Sequence, residues 1–590
     1  MKNNRILYIL FLVSVPILFF GCNDNFLDRP PQGLVDAEHF YNTPKQLKIA
    51  TNDFYRFFDP EGVVTEDAAS DNIVPLEAAA RVRGSRIVPT KRGSGGWSWS
   101  ALRDINYFLA NYHICPDPVA RARYSAVARF FRAFFYFNKV KKFGDVPWYS
   151  DVLSAEDSSL YKARDSRALV MDSIMADIDY AIENLPEEKK LYMVTKYTAL
   201  ILKARIALFE GTFRKYHHLD IPYKPLLKEA VEAAGTLMQS GEYHLYTDGG
   251  PGNAYRNLFS MTDQNDVETI LAANYVKGIK TNSIGYTMTS PTYGAWGMTK
   301  DLVNSYLMKD GSRFTNQSGY ETMGYYEEMQ NRDPRLIQTT AGPGFKMIGA
   351  NETAPVNLDI TTTGYRVIKW LPAADQLSTG ATYNDIIIFR YAEALLIYAE
   401  AKAELGTISQ ADLDKSINKL RDRVAMPHLK LSVANSHPDP FLAKQYPNVS
   451  GSNKGGILEI RRERRIEMFA EGLRWDDLMR WKAGKKIEQP MVGIYFSHLG
   501  AFDFDNDGDA DVYLYRGSSS GAPSTVTTMI NVDQRQLRNP LTGQIGGDKG
   551  NLAPFPLGGA FQEPKDYFYP IPIEDLQLNS KLEQNPGWNN

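Results

Sequence analysis

The sequence predicts a mainly α-helical protein with a loop-rich half. Apolar residues recur at intervals of three and four through residues 99–245 and again through 383–427, a spacing typical of helices that pack on one face. Between these regions, residues 246–382 lose that periodicity and become rich in Gly, Thr, Asn and aromatic residues. The chain has 590 residues, more than one compact core usually holds, so we expect stacked units or subdomains.

The opening of the chain is typical of a secretion and anchoring signal. Two basic residues precede an apolar run at residues 6–20, which is shorter than a membrane span of about 20 residues and fits a signal peptide. The run ends in FFGC, which resembles the lipobox of bacterial lipoproteins, where the cysteine is lipidated and becomes the first mature residue. We therefore expect residues 1–21 to be removed, Cys22 to carry the membrane anchor, and residues 22–40 to form a proline-bearing tether. The alternative is an ordinary signal peptide followed by an unrelated cysteine.

Helical patterns follow one another along the remaining chain, which we treat as one domain over residues 41–590. Before the loop-rich segment they cover 43–58, 98–114, 124–147, 165–186, 195–213 and 224–243. Short turns separate consecutive patterns, and pairs of about 35 to 45 residues indicate tetratricopeptide-like stacking. A fourth pair is predicted within residues 383–427.

A charged helix is predicted over residues 456–484, within a C-terminal region at 455–590 that ends in loops. It contains Glu463, Arg464, Arg465 and Glu467. Acidic and basic residues three and four apart on a helix usually form ion pairs, so we interpret this cluster as structural.

Composition and motifs exclude two function classes. The formal net charge is −3 and no long basic run occurs, which argues against nucleic-acid binding. The chain has no metalloprotease, Walker or Rossmann motif. GSSSG at residues 517–521 matches the nucleophile elbow of hydrolases, but the last histidine, His498, precedes it, whereas that catalytic order places a histidine downstream. We expect a binding protein and not an enzyme.

Several segments together resemble one family. They are ARFFRAFFYFNKVKKFGDVP, RYAEALLIYAEAKAELG, ERRIEMFAEGLRWDDLMRW and the tail YFYPIPIEDLQLNSKLEQNPGW. In this order they resemble the SusD/RagB family of Bacteroidetes outer-membrane lipoproteins. The resemblance implies a SusD-like fold, with four tetratricopeptide-type helix pairs beneath an irregular ligand-binding half.

The resemblance also implies a function. Family members lie at the cell surface, anchored by lipid in the outer membrane, and act as a lid on a SusC-type TonB-dependent transporter. They capture glycans, usually oligosaccharides, for import. A RagB-like member that captures peptides is the alternative. A third hypothesis is a structural partner of the transporter that binds no ligand, and burial of all the candidate rings would favour it.

Candidate ligand-binding residues lie in the two loop-rich regions, at about 60–98 and 246–382. Aromatic rings cover the C–H faces of sugars, while Asp, Asn and Arg satisfy their hydroxyls. The resemblance places ligand contacts within residues 70–99, and a second loop at 285–298 carries three rings. The candidates are Asp71, Arg81, Arg83, Trp97, Tyr286, Tyr293 and Trp296. Trp99 is assigned to the core.

An acidic loop near the C-terminus predicts a calcium site. Asp503, Asp505, Asp507, Asp509 and Asp511 occupy alternate positions, with Gly508 after the third. This spacing matches the first nine positions of an EF-hand loop, whose clustered oxygen ligands suit Ca²⁺. Leu514 stands where an EF-hand has its bidentate glutamate. The expected role is structural, and the alternative is a solvated acidic turn between strands.

Overall fold

The structure is a computed structural model that describes residues 40–154 and 156–589. The predicted signal peptide, Cys22 and nearly all of the tether therefore lie outside the described residues. The helices are α1 (Pro44–Asn52), α2 (Pro60–Thr65), α3 (Ala80–Arg83), α4 (Ser100–Asn111), α5 (Pro118–Phe143), α6 (Arg167–Asn184), α7 (Lys196–Tyr216), α8 (Lys224–Gln239), α9 (Ala254–Leu258), α10 (Ile284–Thr289), α11 (Lys300–Ser305), α12 (Tyr325–Met329), α13 (Arg335–Thr339), α14 (Tyr391–Leu405), α15 (Gln410–Asp414), α16 (Ile417–Arg423), α17 (Leu431–Ser436), α18 (Pro440–Gln445), α19 (Lys454–Glu467), α20 (Arg474–Arg480) and α21 (Ile573–Leu578). The strands are β1 (Ile73–Val74), β2 (Thr269–Ala273), β3 (Gly297–Met298), β4 (Ile386–Arg390), β5 (Tyr495–Phe496), β6 (Gly500–Phe502), β7 (Val512–Tyr515), β8 (Thr528–Asn531), β9 (Leu537–Arg538) and β10 (Gly550–Leu552).

Five long helices, α4 to α8, form the first part of a helical stack in which each packs on the next. Local sequence explains their limits. The Asp117 carboxylate accepts hydrogen bonds from the backbone of Val119 and Ala120, which begins α5, and Gly144 ends it with a φ of +71°. Many side chains between these ends are buried, so the apolar positions that recur with helical spacing in α5 contribute to the helical core.

The stack continues across the loop-rich insertion. Helix α8 packs against α14, and α14 packs against α19, although residues 240–390 separate the first two in sequence. Strands β2 and β4 pair antiparallel at the return point, and β4 leads directly into α14. The mainly α fold with a loop-rich half is therefore confirmed.

A second hydrophobic core supports the loop-rich half. It includes Trp296 and Tyr365 from the insertion and Phe504 and Leu514 from the C-terminal region. Short two- and three-stranded sheets surround it, and β6, β7 and β8 form one of them. The insertion and residues 494–552 thus fold together around this second core, while later residues such as Phe561 and Ile571 pack into the helical core.

The predicted charged helix at 456–484 is two helices, α19 and α20. Ala470 and Gly472 have positive φ angles of 54° and 72°, and these two residues interrupt the helix between α19 and α20. The break places Ala470 where its backbone N–H donates to Asp67, 2.8 Å away. The charged side chains of α19 are buried in ion pairs, as their spacing indicated; Glu467, for example, contacts Arg335, Arg390 and Arg423.

Within residues 40–154 and 156–589, every helix is too short or too polar to cross a bilayer.

Candidate ligand-binding site

Strand pairing brings the two predicted ligand-binding stretches together. In the β1–β3 ladder Ile73 lies opposite Met298 and Val74 opposite Gly297. Beyond the ladder, the Leu76 backbone N–H donates to the Gly294 carbonyl over 3.2 Å. The loops that follow β1 and precede β3 therefore lie side by side at the surface.

A groove opens beside these two loops, with a volume of about 710 Å³. That volume lies within the range of small-molecule sites. One wall is apolar and includes Pro75, Leu76 and Pro291, while residues 534–536 contribute a polar wall. We call it the loop groove.

Arg535 organises the polar wall of the loop groove. Its guanidinium donates to the carbonyls of Leu358, Thr361 and Thr362, at 3.0, 2.9 and 3.2 Å. Burial lowers the pKa of this guanidinium. Because Arg535 is occupied by protein carbonyls, the exposed amides of Gln534 and Gln536 are the groups that this wall offers to a ligand. Local sequence carried no signal for these residues, since they reach the groove only through tertiary folding.

Tyr286 and Tyr293 form an aromatic pair at the loop surface. Their ring centroids lie 5.8 Å apart with planes inclined by 31°. Tyr293 is 66% exposed and stands two residues beyond Pro291, which lines the loop groove. Both rings remain candidates for ligand contact.

Trp296, in contrast, is a core residue. Its side chain is only 3% exposed and belongs to the second hydrophobic core. The chain enters β3 at the next residue, and the β1–β3 pairing directs this segment inward. The expectation that Trp296 contacts ligand is therefore wrong.

Trp97 is a core residue, contrary to the expectation that it contacts ligand. Trp97 is 2% exposed and packs edge-on against Trp99 and Phe143, with centroid distances of 5.3 and 4.8 Å. Gly95 and Gly96, both at positive φ, turn the chain so that Trp97 points towards α5. Trp99, assigned to the core, packs against the helical core with its side chain partly exposed.

Asp71 serves the interior of the protein. Its carboxylate is buried and pairs with Arg474 at 2.6 Å and with Arg465 at 3.1 Å. Burial by itself would raise the pKa of Asp71, but the Arg474 and Arg465 guanidiniums outweigh it and hold that pKa well below its usual range. A ligand cannot reach this group, so its predicted contact with sugar is corrected to a structural ion pair.

Arg81 is likewise held by the protein. It donates to the carbonyls of Ala69 and Glu66 at 2.8 and 3.0 Å, forms an ion pair with the Glu66 carboxylate, and lies 4.5 Å from the centre of the Trp475 ring. Its partners are thus already supplied by the chain, contrary to the expected ligand contact.

Arg83 differs from Arg81 because its side chain is 44% exposed and has one surface partner, Glu77, at 3.0 Å. It lies on α3, just after the loop that borders the groove. Arg83 therefore remains available to a ligand.

The acidic loop is the connection of the β6–β7 hairpin, in which Phe502 lies opposite Val512. Oxygens of Asp503, Asp505 and Asp511 lie within 4.8 Å of one another, a spacing that suits one cation. Gly508 has a φ of +98°, the sharp turn that the motif requires.

Two of the five predicted ligands lie outside that cluster. Asp507 accepts a hydrogen bond from the Asp509 backbone at 2.9 Å, and Asp509 occupies the motif position that ligates through its backbone carbonyl. Burial, and then the neighbouring Asp507 carboxylate, raises the pKa of Asp505. One Asp505 oxygen is buried without a hydrogen-bond partner.

The fold is a helical scaffold that carries a loop-rich half with a surface groove, and known proteins share this architecture. The sequence profile of the SusD family matches residues 251–588. SusD-like protein P38 of Formosa agariphila is 23% identical, over 84% of this chain and 95% of its own length. A SusD-like protein of Bacteroides ovatus is also 23% identical, over 98% of this chain and 97% of its own length.

Solved structures show the same fold. A SusD-like protein of Bacteroides fragilis superposes with a TM-score of 0.68 at 20% identity, covering 95% of this chain and all of its own. A SusD-like carbohydrate-binding protein of the same organism superposes with a TM-score of 0.66 at 20% identity, and the match covers 92% of this chain and all of that one. A structure with xylogluco-oligosaccharide superposes with a TM-score of 0.59 at 17% identity, and the match covers 91% of this chain and 97% of that one. The chain belongs to the SusD family.

Proposed function

We propose that this protein captures oligosaccharides in the loop groove and delivers them for import. The observation that carries the proposal is the pairing of β1 with β3, which brings Leu76 and Pro291 together at a groove of ligand size, with the exposed ring of Tyr293 two residues beyond Pro291, in a member of the SusD family. Aromatic rings bind the apolar faces of sugars, and the amides of Gln534 and Gln536 suit neutral hydroxyls. The role is binding without catalysis.

The setting of this function is the outer surface of the cell. We propose that lipidation at Cys22 anchors the protein in the outer membrane and that a SusC-type TonB-dependent transporter receives the captured glycan. Family membership supports both, together with the lipobox-like FFGC. Two or more acyl chains are needed for stable anchoring, as bacterial lipoproteins provide.

A peptide ligand, as in RagB-like members, is the competing proposal, and the groove lining argues against it. Peptides that add to a sheet edge bind through backbone N–H and C=O groups. Four prolines line the loop groove: Pro75, Pro291, Pro554 and Pro556. Proline has no N–H to donate, so this lining offers few partners to a peptide backbone.

The proposal is tested by affinity electrophoresis of the purified chain against a panel of neutral and acidic polysaccharides, with a proline-containing and a proline-free peptide library on the same protein. Retardation by one or more polysaccharides, and none by the peptides, is expected. Binding of peptides alone would replace the glycan proposal with the RagB-like one. The exposure of Tyr293 counts against the third hypothesis, a structural partner that binds no ligand, because burial of all the candidate rings would have favoured it.

We also propose that the acidic loop holds a structural Ca²⁺. The three converging carboxylates support this, together with the unpaired buried oxygen of Asp505. A divalent cation would neutralise repulsion among these carboxylates and fix the β6–β7 connection.

A further inference from the structure

A second pocket lies where α4, residues 147–154, residues 160–161 and α21 meet. Its volume is about 540 Å³, again in the range of small-molecule sites. The loop groove and this pocket share no lining residue. We call it the helical pocket and define it by Trp99, Leu102, Asn106, Tyr149, Leu578 and Asn579.

Two aromatic rings form a corner of the helical pocket. The Trp99 and Tyr149 centroids lie 5.7 Å apart with planes at 85°, and both side chains are partly exposed. The Tyr149 hydroxyl donates to the Leu160 carbonyl over 2.7 Å, and its backbone N–H donates to the Tyr136 hydroxyl over 2.6 Å. The ring is thus held in place before any ligand arrives, which reduces the entropy lost on binding.

Trp99 is supported by a lysine that faces the protein. The Lys139 ammonium lies 5.0 Å from the centre of the indole ring and donates to the carbonyls of Gly96 and Ser98. Lys139 is itself buried. Its hydrogen bonds hold the backbone just before Trp99, and the contact of its side-chain nitrogen with the indole helps to position that ring.

Charged groups at the rim of the helical pocket have both signs. Arg103 and Asp151 are exposed, and Asp575 accepts a hydrogen bond from the Gly93 backbone at 2.8 Å. Since no single sign dominates, the pocket does not select for an ionic ligand. The exposed hydroxyl of Ser100 adds a neutral hydrogen-bonding group.

We propose that the helical pocket is a second saccharide site, which takes a short neutral oligosaccharide with its C–H face against Trp99 and Tyr149. A corner of two fixed rings with a mixed polar rim matches a ligand that has one apolar face and a border of hydroxyls. The inference rests on the proposed ligand class, but it concerns a site separate from the loop groove. It would let one chain hold a polysaccharide at two points, which raises avidity.

Titration calorimetry of the full chain with xylogluco-, cello- and malto-oligosaccharides tests the inference. The wild-type chain is expected to bind two equivalents of an oligosaccharide that it recognises. Trp99→Ala and Leu578→Arg should each weaken one of the two events by about tenfold or more. Leu578 is 48% exposed, so its replacement blocks the pocket mouth without opening the core and covers the case in which Trp99→Ala fails to fold.

Tyr107→Ala is the matched control, because Tyr107 is a partly exposed ring on the same helix and does not line the pocket. It should leave both binding events unchanged. The wild-type chain could instead show a single binding event that Tyr293→Ala abolishes and that Trp99→Ala and Leu578→Arg leave intact. That result would contradict the second saccharide site in the helical pocket and leave the proposed function standing. Binding of no oligosaccharide or polysaccharide by the wild-type chain would overturn both.

Discussion

Asp71 and Arg474 form a buried bidentate ion pair, although 403 positions separate them in sequence. Nε of Arg474 lies 2.6 Å from Oδ1 of Asp71, and Nη2 lies 2.8 Å from Oδ2. Asp71 precedes β1 in the loop-rich half, and Arg474 is the first residue of α20 in the helical half. The pair therefore ties the ligand-binding loops to the helices beneath them.

Replacing Asp71 with Asn should destabilise the protein by about 3–5 kcal/mol, because the buried Arg474 would lose its counter-charge and Arg465 would keep only Asp301. The free energy of unfolding, measured by urea denaturation, checks this.

Arg83→Ala is the control for that experiment, because it removes an ion pair at the surface of the same region. An exposed pair of this kind contributes less than about 1 kcal/mol. Equal losses in the two variants would contradict the structural role assigned to Asp71.

His217 should make the protein less stable in mild acid. His217 is largely buried, and its Nε2–H donates to the Met479 carbonyl at 2.8 Å. Burial lowers the pKa of His217 to about 4. Between about pH 6.5 and pH 4 the unfolded chain protonates this imidazole and the folded chain does not, so stability falls as pH falls through that window. The expected loss is about 2 kcal/mol between pH 7.5 and pH 5, measured as the unfolding free energy.

His217→Gln separates this effect from other acid-sensitive groups, because glutamine can donate to the same carbonyl and does not titrate. The variant should show a flatter pH dependence between pH 7.5 and pH 5, whatever its stability at neutral pH. An unchanged slope would mean that other groups cause the acid sensitivity.

The helices could be predicted from the sequence because their signals are local. Leu102, Ile105 and Phe108 recur with helical spacing in α4 and are all buried. The break between α19 and α20 was missed, since Gly472 alone inside a helical pattern is usually tolerated. The break is accompanied by contacts with residues far away in sequence, such as the hydrogen bond from the Ala470 backbone N–H to the Asp67 carboxylate.

The site was predicted at the level of regions and not of side chains. The β6–β7 connection carries the first nine positions of a local motif, so an acidic cluster could be predicted from the sequence, although only Asp503, Asp505 and Asp511 converge. A ring in a glycine-rich loop, in contrast, points inward or outward according to its tertiary neighbours. Trp97 and Trp296 turned inward while Tyr293 stayed at the surface, and nothing local distinguishes these three rings.

Tyr293→Ala should weaken glycan binding by about tenfold with little change in stability, because the ring is exposed and its loss removes one stacking surface. Calorimetry on the polysaccharide or oligosaccharide identified in the panel gives the affinity, and thermal unfolding gives the stability.

Trp296→Ala provides the contrast to Tyr293→Ala. Removing this buried indole should cost about 3–5 kcal/mol of stability through the cavity that it leaves. Any loss of binding in Trp296→Ala would then accompany unfolding. If Tyr293→Ala binds glycan with the affinity of the wild-type chain, the Tyr293 ring does not contribute to the binding surface.

The acidic loop provides the last prediction. Ca²⁺ should raise the unfolding free energy of the wild-type chain, by about 2.7 kcal/mol at a concentration one hundred times its dissociation constant. Asp505→Asn should abolish most of that gain, because Asp505 is central to the cluster with Asp503 and Asp511. Asp509→Asn should retain it, because the side chain lies outside the cluster and the motif uses the backbone carbonyl at that position. Calcium titration calorimetry, with unfolding in chelator and in millimolar Ca²⁺, distinguishes these variants. If the wild-type chain gains no stability from Ca²⁺, the loop is a solvated acidic turn, and the raised pKa of Asp505 reflects burial and neighbouring carboxylates alone.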